Sequence, residues 1–313
     1  MHHPRRLSGL LAGVSLVAAL AACGGTTDSP AEASPASTRS VDTAFGDVAV
    51  PERPTRVIAL SEAALDTALE LGTTPVGTTA RRGGEEPPAY LGAEAAGIPV
   101  VATVAEPNVE EIVKAEPDLI LAGAGLEKAR YDALTAIAPT VVPDAGTLGW
   151  EDQLATYAEA LGKETELAAK LDALEKRADA VAAAQRTGAT AVVLRWMPNG
   201  PVVMSAGLMP SSVLADAGVA ALPLAKGLGD KPHSDPLSLE NLSQVDAGRL
   251  FIATFDADGK RALDAARKQP AFTRLNAAKA GAVSLVDGGV WSSSSGPIAW
   301  DRVLTDIERA YAG

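Results

Sequence analysis

The chain reads RVIALSEAALDTALELGTTPVG at residues 56–77. Val57 to Leu60 form a short apolar run typical of a buried strand, and the stretch from Glu62 to Leu71 is typical of a helix that ends at Gly72. Pro75-Val76-Gly77 begins a second strand-like run. Short strands that alternate with helices are characteristic of an α/β fold, so this stretch predicts that fold class.

The same alternation continues in two halves of the chain, on either side of a long helical stretch. Leu154 to Val181 contain apolar residues at helical spacing, and Gly162 divides this stretch into a short and a long helix. The long part, Glu164 to Arg186, would extend about 34 Å. We predict that this helix joins two α/β lobes. Further strands are predicted at 98–101, 118–122, 138–142, 191–195, 201–204, 250–253 and 283–286, and a last helix at 298–312.

The N-terminal segment differs in composition from the rest of the chain. Arg5 and Arg6 precede an uncharged stretch from Leu7 to Ala22, which is typical of a secretory signal and too short to span a membrane. Leu20-Ala21-Ala22-Cys23 resembles the lipobox of bacterial lipoproteins, in which the cysteine is lipidated. This resemblance implies a lipid anchor at Cys23 on the extracytoplasmic face of the bacterial cell membrane. The predicted divisions are a signal peptide at 1–22, a lipidated cysteine and flexible tether at 23–42, an N-terminal lobe at 43–149, a linking helix region at 150–187 and a C-terminal lobe at 188–313.

Composition excludes several classes of function. The 313 residues contain 27 Lys and Arg against 39 Asp and Glu, a net charge of −12, whereas nucleic-acid binding requires clustered basic residues. A single cysteine excludes an internal disulfide and an iron–sulfur cluster, and His233 alone remains after signal cleavage, so no multi-histidine metal site is expected. The sequence contains no Gly-x-Ser-x-Gly motif and no P-loop. We therefore predict a protein that is not an enzyme and has neither catalytic residues nor a metal site.

A weak internal repeat places one acidic residue at the start of a helix in each half. Asn108 precedes Glu110 in the first half and Ser238 precedes Glu240 in the second, and a strand follows each acid at the same spacing. Asn108 and Ser238 are expected to cap their helices. A favourable interaction with the helix dipole also explains an acid in the first turn, so neither residue alone indicates a function. The presence of an acid at the same place in both halves is the stronger evidence for a shared function.

These features together resemble one family. The residues that match it are the lipobox, the segments 56–60 and 71–77, and Asn108-Val109-Glu110 with Glu116-Pro117-Asp118-Leu119-Ile120. Over about residues 45–312 the chain is similar to the substrate-binding lipoproteins of ABC importers for ferric siderophores, vitamin B12 and haem. The resemblance implies two α/β lobes joined by a single long helix, with the ligand cleft between them. It also implies that Glu110 and Glu240 dock on arginines of the permease transmembrane subunits.

Loops that leave the predicted strands supply the candidate ligand contacts. Arginines in an acidic chain can pair with carboxylate, catecholate or hydroxamate oxygens, aromatic rings can stack on a ligand, and methionine can form an apolar wall. The predicted ligand-binding residues are Arg81, Arg82, Arg195, Trp196, Met209 and Trp291. Trp291 is the preferred aromatic contact because it lies in a Gly/Ser-rich segment, whereas Trp300 is expected in the core. Arg81 and Arg82 could instead form a solvated loop, and Trp196 could belong to the core of its lobe.

The class of ligand follows from these residues and from the resemblance. The arginines favour an anionic ferric siderophore, so iron is expected only as part of the bound ligand and no cofactor is predicted. Haem usually requires a Tyr or His axial ligand, for which the candidates are few, and vitamin B12 remains open. A lipid-anchored adaptor without transport is the remaining alternative. The predicted function is capture of a ferric siderophore and its delivery to the permease.

Overall fold

The computed structural model describes residues 37–312, except 83, 104–105, 147–148, 186 and 293. The predicted signal peptide, Cys23 and most of the predicted tether lie outside the described residues. An antiparallel hairpin, β1 (Thr38–Val41) with β2 (Val48–Pro51), begins the described chain. The folded part therefore begins before residue 43, where it was predicted, because Val41 and Val50 are fully buried and anchor the hairpin to the core.

The first lobe contains a five-stranded sheet with helices between its strands. A 3₁₀ helix, Ala89–Glu94, precedes the edge strand β5. The elements are β3 (Val57–Ala59), α1 (Glu62–Glu70), β4 (Gly77–Thr79), β5 (Val100–Ala102), α2 (Val109–Lys114), β6 (Leu119–Leu121), α3 (Lys128–Thr135) and β7 (Thr140–Val141).

The strand order of this sheet determines where a ligand can bind. All pairings are parallel and the order is β5-β4-β3-β6-β7. The chain moves from β3 outward through β4 and β5, and then returns to the other side of β3 with β6 and β7. Strand order therefore reverses between β3 and β6. In open α/β sheets a crevice forms at the carboxyl ends of the strands at such a reversal.

Two helices connect the lobes. They are α4 (Trp150–Leu161) and α5 (Glu164–Ala184), and Gly162 ends the first of them with a left-handed backbone, φ 67°. The predicted division at Gly162 is confirmed, since a left-handed residue ends a helix and glycine adopts that conformation without strain. Arg177 of α5 forms ion pairs with Asp301 and Glu308, which attach the long helix to the last helix of the chain.

The second lobe repeats the architecture with a second parallel sheet. Its order is β10-β8-β11-β12, and β9 pairs antiparallel with β8. A 3₁₀ helix, Leu239–Val245, precedes β11. The elements are β8 (Thr190–Met197), β9 (Gly200–Val203), α6 (Met209–Asp216), β10 (Ala220–Ala221), α7 (Pro223–Lys226), β11 (Arg249–Thr254), α8 (Ala257–Ala266), α9 (Pro270–Thr273), α10 (Asn276–Lys279), β12 (Val283–Asp287), α11 (Gly288–Ser292) and α12 (Pro297–Tyr311).

One apolar cluster is shared by both sheets and the connecting helices. Val57 of β3 and Val193 of β8 belong to it, together with Leu154 of α4 and Leu174 of α5. The opposite faces of the two sheets have separate clusters, as the alternation of side chains along a strand requires. The predicted α/β fold with two lobes is confirmed. Within the described residues no helix is long and apolar enough to span a membrane.

The first lobe is also bound to the start of α12 by a buried carboxylate. Asp66 of α1 accepts backbone N–H bonds from Ile298 at 2.8 Å and Ala299 at 2.9 Å, and the Tyr90 hydroxyl donates to it at 2.8 Å. Gly296 occupies the N-cap position of α12 and has no side chain that could cap the helix. Asp66 therefore caps α12 from a distant part of the chain, and burial raises the pKa of this carboxyl to about 7.

Candidate functional site

A cavity of about 430 Å³ opens at the carboxyl ends of β3 and β6, where strand order reverses. The segments that follow these two strands, residues 60–63 and 123–126, form most of its wall, as the topology predicts. Its floor includes Tyr157 of α4, whose hydroxyl donates to the Ala122 carbonyl at 2.8 Å. The lining residues are Leu60, Ser61, Glu62, Ala63, Thr79, Arg82, Gly123, Ala124, Gly125, Leu126, Arg130, Gln153, Tyr157 and Ser295.

A second cavity of about 340 Å³ adjoins the first, because Gln153 and Ser295 line both. Its wall is more apolar and includes Trp150 at the start of α4 and Met209 at the start of α6. The indole Nε1–H of Trp150 donates to the Ser212 hydroxyl at 3.1 Å, which fixes the ring at the wall. The two cavities together form a cleft between the first lobe, the connecting helix α4 and the second lobe.

The polar part of this cleft is basic. Arg82 and Arg130 line the first cavity, and neither forms an ion pair with a carboxylate among the described residues. Arg195, at the end of β8, is half-buried, and burial followed by the nearby charge of Arg82 lowers its pKa. The guanidinium groups of Arg82 and Arg195 therefore lie close enough to repel one another, although Arg195 lines neither cavity. Such an arrangement is stabilised by an anion that binds between them.

An acidic side chain is also present in the cleft. Glu62, the first residue of α1, lines the first cavity beside Arg82. Its Oε1 accepts the Arg82 backbone N–H at 3.3 Å, and its Oε2 accepts the Ser294 hydroxyl at 3.3 Å. Burial is the main cause that raises the pKa of this carboxyl, and the charge of Asp287 raises it further.

Another large cavity, of about 460 Å³, is bounded by β12, α12 and the first 3₁₀ helix. Its acidic side chains outnumber its basic ones, in contrast to those of the cleft. Arg309 forms an ion pair with Asp306 at 3.2 Å, and Arg302, Asp287 and Asp301 also line the cavity. This cavity is therefore a weaker site for an anionic ligand than the cleft.

Both predicted aromatic contacts, Trp196 and Trp291, lie in the core and not on the walls of the cleft. Trp291 is fully buried, its ring stacks on Phe251 with centroids 4.5 Å apart, and its Nε1–H donates to Asp306 at 2.9 Å. The Gly/Ser-rich segment around it contains the short helix α11, which directs the ring into the core. Trp196 is 2% exposed and packs edge-on against Phe272 at 6.0 Å, in the cluster on the outer face of the second sheet. Neither ring can stack on a ligand in the cleft.

The remaining predicted ligand residues have different positions. Arg82 lines the first cavity and Met209 lines the second, although Met209 is almost fully buried. Arg195 is close to Arg82, with its guanidinium carbon 5.6 Å from the centre of the Phe255 ring. Arg81 is exposed and is not among the lining residues of either cavity. The structure therefore places Arg82 and Met209 on the walls of the cleft, whereas Arg81 and Arg195 line neither cavity. Arg195 is nevertheless near enough to Arg82 for the charge of Arg82 to act on it.

Sequence reasoning missed several residues of the cleft, among them Arg130, Trp150 and Glu62. Arg130 belongs to α3, a helix that was not predicted, and it reaches the cavity because α3 follows the β6 loop at the strand-order reversal. Trp150 was assigned only to the start of the linking region. The chain contains four Trp residues, and Trp150 directly follows Gly149, the residue that precedes α4. This position could have marked Trp150 as a candidate ligand contact.

The two predicted docking residues are both exposed. Glu110 lies in the first turn of α2, which Asn108 caps by accepting the Glu111 N–H at 3.3 Å. Glu240 lies in the 3₁₀ helix of the second lobe, and there Ser238 makes no side-chain cap bond, contrary to the prediction. The described residues contain no group of His, Cys, Asp and Glu side chains that could hold a metal ion.

Comparison with known proteins agrees with this architecture. A family model described as periplasmic binding protein matches residues 57–288, and the chain belongs to this family. A relative of 29% identity is the probable siderophore-binding lipoprotein YfiY of Bacillus subtilis (strain 168), with 97% of each chain covered. Another, of 26% identity, is the achromobactin-binding periplasmic protein of Dickeya dadantii (strain 3937), with 82% of this chain and 86% of that protein covered.

A solved structure supports the same assignment. Staphylococcus aureus SirA complexed with staphyloferrin B matches with a TM-score of 0.77 and 25% identity, over 87% of this chain and 98% of SirA. The predicted family and its two-lobed fold are therefore confirmed.

Proposed function

We propose that this protein is the membrane-anchored substrate-binding component of an ABC importer and captures a ferric siderophore in the cleft. Family membership and the siderophore ligands for which the relatives are named support this class of ligand. Binding without chemical conversion of the ligand is the role we assign to the cleft, and iron enters only as part of the ligand. The division into lobes at 43–149 and 188–313 remains part of the proposal.

The observation that carries the proposal is the position of two arginines, Arg82 and Arg130, on the wall of a cavity of about 430 Å³ in a chain of net charge −12. Among the described residues, neither of them forms an ion pair with a carboxylate. Guanidinium groups bind carboxylate, catecholate and hydroxamate oxygens through charge-assisted hydrogen bonds. An anionic iron chelate satisfies this requirement better than a neutral ligand does.

Quenching of tryptophan fluorescence tests this proposal, because Trp150 lies on the cleft wall. The purified full-length chain is titrated with ferrioxamine B, ferric enterobactin, ferric citrate, haem and cobalamin. We expect saturable quenching by at least one of the three ferric complexes, with a stoichiometry of one ligand per chain. Binding of haem or cobalamin alone would contradict the siderophore assignment and favour the alternative ligands. Absence of binding by all five would favour an adaptor.

Delivery to the permease is the second part of the proposal, and Glu110 and Glu240 are its docking residues. Glu110 has no ion-pair partner among the described residues, whereas its neighbour Glu111 pairs with Lys114 at 2.7 Å. Exposed apolar side chains flank both acids, Val109 and Val113 beside the first and Leu239 beside the second. Two separated carboxylates with apolar borders would orient the protein on a partner with complementary arginines.

Charge reversal separates docking from ligand binding. We expect Glu110→Lys combined with Glu240→Lys to abolish uptake of the ferric complex in cells while the purified chain keeps its affinity. The matched control is Glu111→Lys, since Glu111 is a partly exposed acid in the same helix that already has a lysine partner. A loss of affinity in the double variant, or uptake equal to the control, would refute the docking assignment.

The lipid anchor at Cys23 completes the proposal. The relative YfiY, which is named as a lipoprotein, supports it. We expect metabolic labelling with a fatty acid to mark the wild-type chain in membranes, and Cys23→Ala to remove the label. Labelling that persists in the variant would place the anchor elsewhere.

A further inference from the structure

Glu62 is unusual among the residues that line the cleft. Of the described residues on the walls of the two adjoining cavities, it is the one acidic side chain. Ser61 caps α1 by accepting the Ala64 N–H at 3.1 Å, so Glu62 is not needed to start the helix. A carboxylate beside arginines that bind an anionic ligand weakens that binding unless it has its own contact with the ligand.

The hydrogen bonds of Glu62 leave part of its carboxylate available. An ionised carboxylate has about four acceptor positions, and two are used here, by the Arg82 N–H and by the Ser294 hydroxyl, both at 3.3 Å. Within the described part of the chain, no Lys or Arg side chain forms an ion pair with Glu62, although the Arg82 charge is near enough to lower its pKa. Glu62 lines the cavity, so a ligand bound there can approach its carboxylate.

We propose that Glu62 contacts the bound ferric complex and selects one that presents an ammonium group at the α1 wall over one that presents an anionic oxygen there. This inference rests on the proposed function. Arg82 and Arg130 would hold the anionic donor oxygens of the complex, and Glu62 would accept hydrogen bonds from its amine. The cleft would then distinguish ligands by their charge at two places, so that a complex with both an anionic part and an ammonium group binds more tightly than a wholly anionic one.

The test is the sign of the change in affinity that Glu62→Gln causes. Gln keeps the size of the side chain and removes its charge. The ligands are ferrioxamine B, which carries a terminal ammonium, its N-acetylated form, which lacks that ammonium, and the anionic complexes ferric citrate and ferric enterobactin. Affinities are measured by fluorescence titration of the full-length chain. Glu94→Gln is the matched control, because Glu94 is an exposed acid of the same lobe that lines neither cavity.

We expect Glu62→Gln to weaken ferrioxamine B binding about tenfold relative to its acetylated form, and to strengthen binding of any anionic complex that the wild type binds. Glu94→Gln should change none of the affinities. A merely structural role of Glu62 would weaken all ligands alike, so changes in one direction, or no change, overturn the inference. If the wild type binds the anionic complexes but not ferrioxamine B, the inference is refuted, because the preference is then opposite to the one proposed. If the wild type binds none of the four, the proposed function itself fails.

Discussion

Replacing Asp66 by alanine is expected to destabilise the protein by about 3 kcal/mol at pH 8. The variant removes the acceptor for two backbone N–H groups, of Ile298 and Ala299, and for the Tyr90 hydroxyl. Each buried donor left without a partner costs about 1–3 kcal/mol. The variant also removes a buried carboxyl whose pKa is raised to about 7, and the relief of that burial offsets part of the loss.

The matched control for this variant is Thr67→Val. Thr67 is the next residue of α1 and is equally buried, but its hydroxyl has no hydrogen-bond partner in the described part of the structure. Valine has nearly the same shape, so this variant is expected to be at least as stable as the wild type. Both variants are measured by urea unfolding followed by circular dichroism, with the free energy of unfolding extrapolated to water.

The contrast between the two variants decides the outcome. A loss of less than about 1 kcal/mol in Asp66→Ala would mean that water or another group satisfies the start of α12. An equal loss in Thr67→Val would mean that any change at this position of α1 disturbs packing. Either result would refute the reasoning that Asp66 joins the first lobe to α12 through its hydrogen bonds.

Three further outcomes are expected. Relative to Asp66→Asn, the wild type should lose about 4 kcal/mol of stability as pH rises from about 4 to 7, and its stability should then level off. The reason is that the pKa of Asp66 in the folded protein, about 7, exceeds the ordinary value of 3.8. Urea unfolding at several pH values checks this, and a rise of stability with pH would contradict it. Arg130→Ala should weaken binding of an anionic ferric complex about tenfold in fluorescence titration, whereas Lys128→Ala, on the same helix, should leave it unchanged; equal effects would argue against a contact by Arg130. Gly162→Ala should cost about 1–2 kcal/mol because its φ is 67°, and unchanged urea unfolding would show that the helix end adapts.

Much of the fold could be predicted because its signals are local. The run Val57 to Leu60 became β3, and Gly162 separates two helices because its left-handed backbone ends the first one. The helix α3 was missed because its sequence has a weak apolar face, with Leu134 as its one buried residue. The strand Thr38–Val41 was missed because a short edge hairpin has little periodicity to detect.

The candidate site was predicted less completely. Arg195 and Trp196 are neighbours on β8, so their side chains lie on opposite faces of the sheet, and the alternation could have shown that at most one of them reaches the cleft. The structure also separates Arg81 from Arg82, which are adjacent in the sequence, since Arg82 alone of the two lines the cavity. The orientation of consecutive loop residues depends on backbone turns that composition does not specify.

The sequence by itself determined the α/β class, the two halves with a connecting helix, the excess of acidic charge and the family resemblance. These depend on periodicity and motifs within short stretches, which report local backbone preference and burial. Only the tertiary structure decided which residues form the cleft. Arg82, Arg130, Glu62 and Trp150 are distant in the chain and meet because strand order reverses between β3 and β6 and because α4 and the second lobe cover that edge. Packing likewise placed Trp291 in the core, since a large ring gains more from burial against Phe251 than from exposure in a loop.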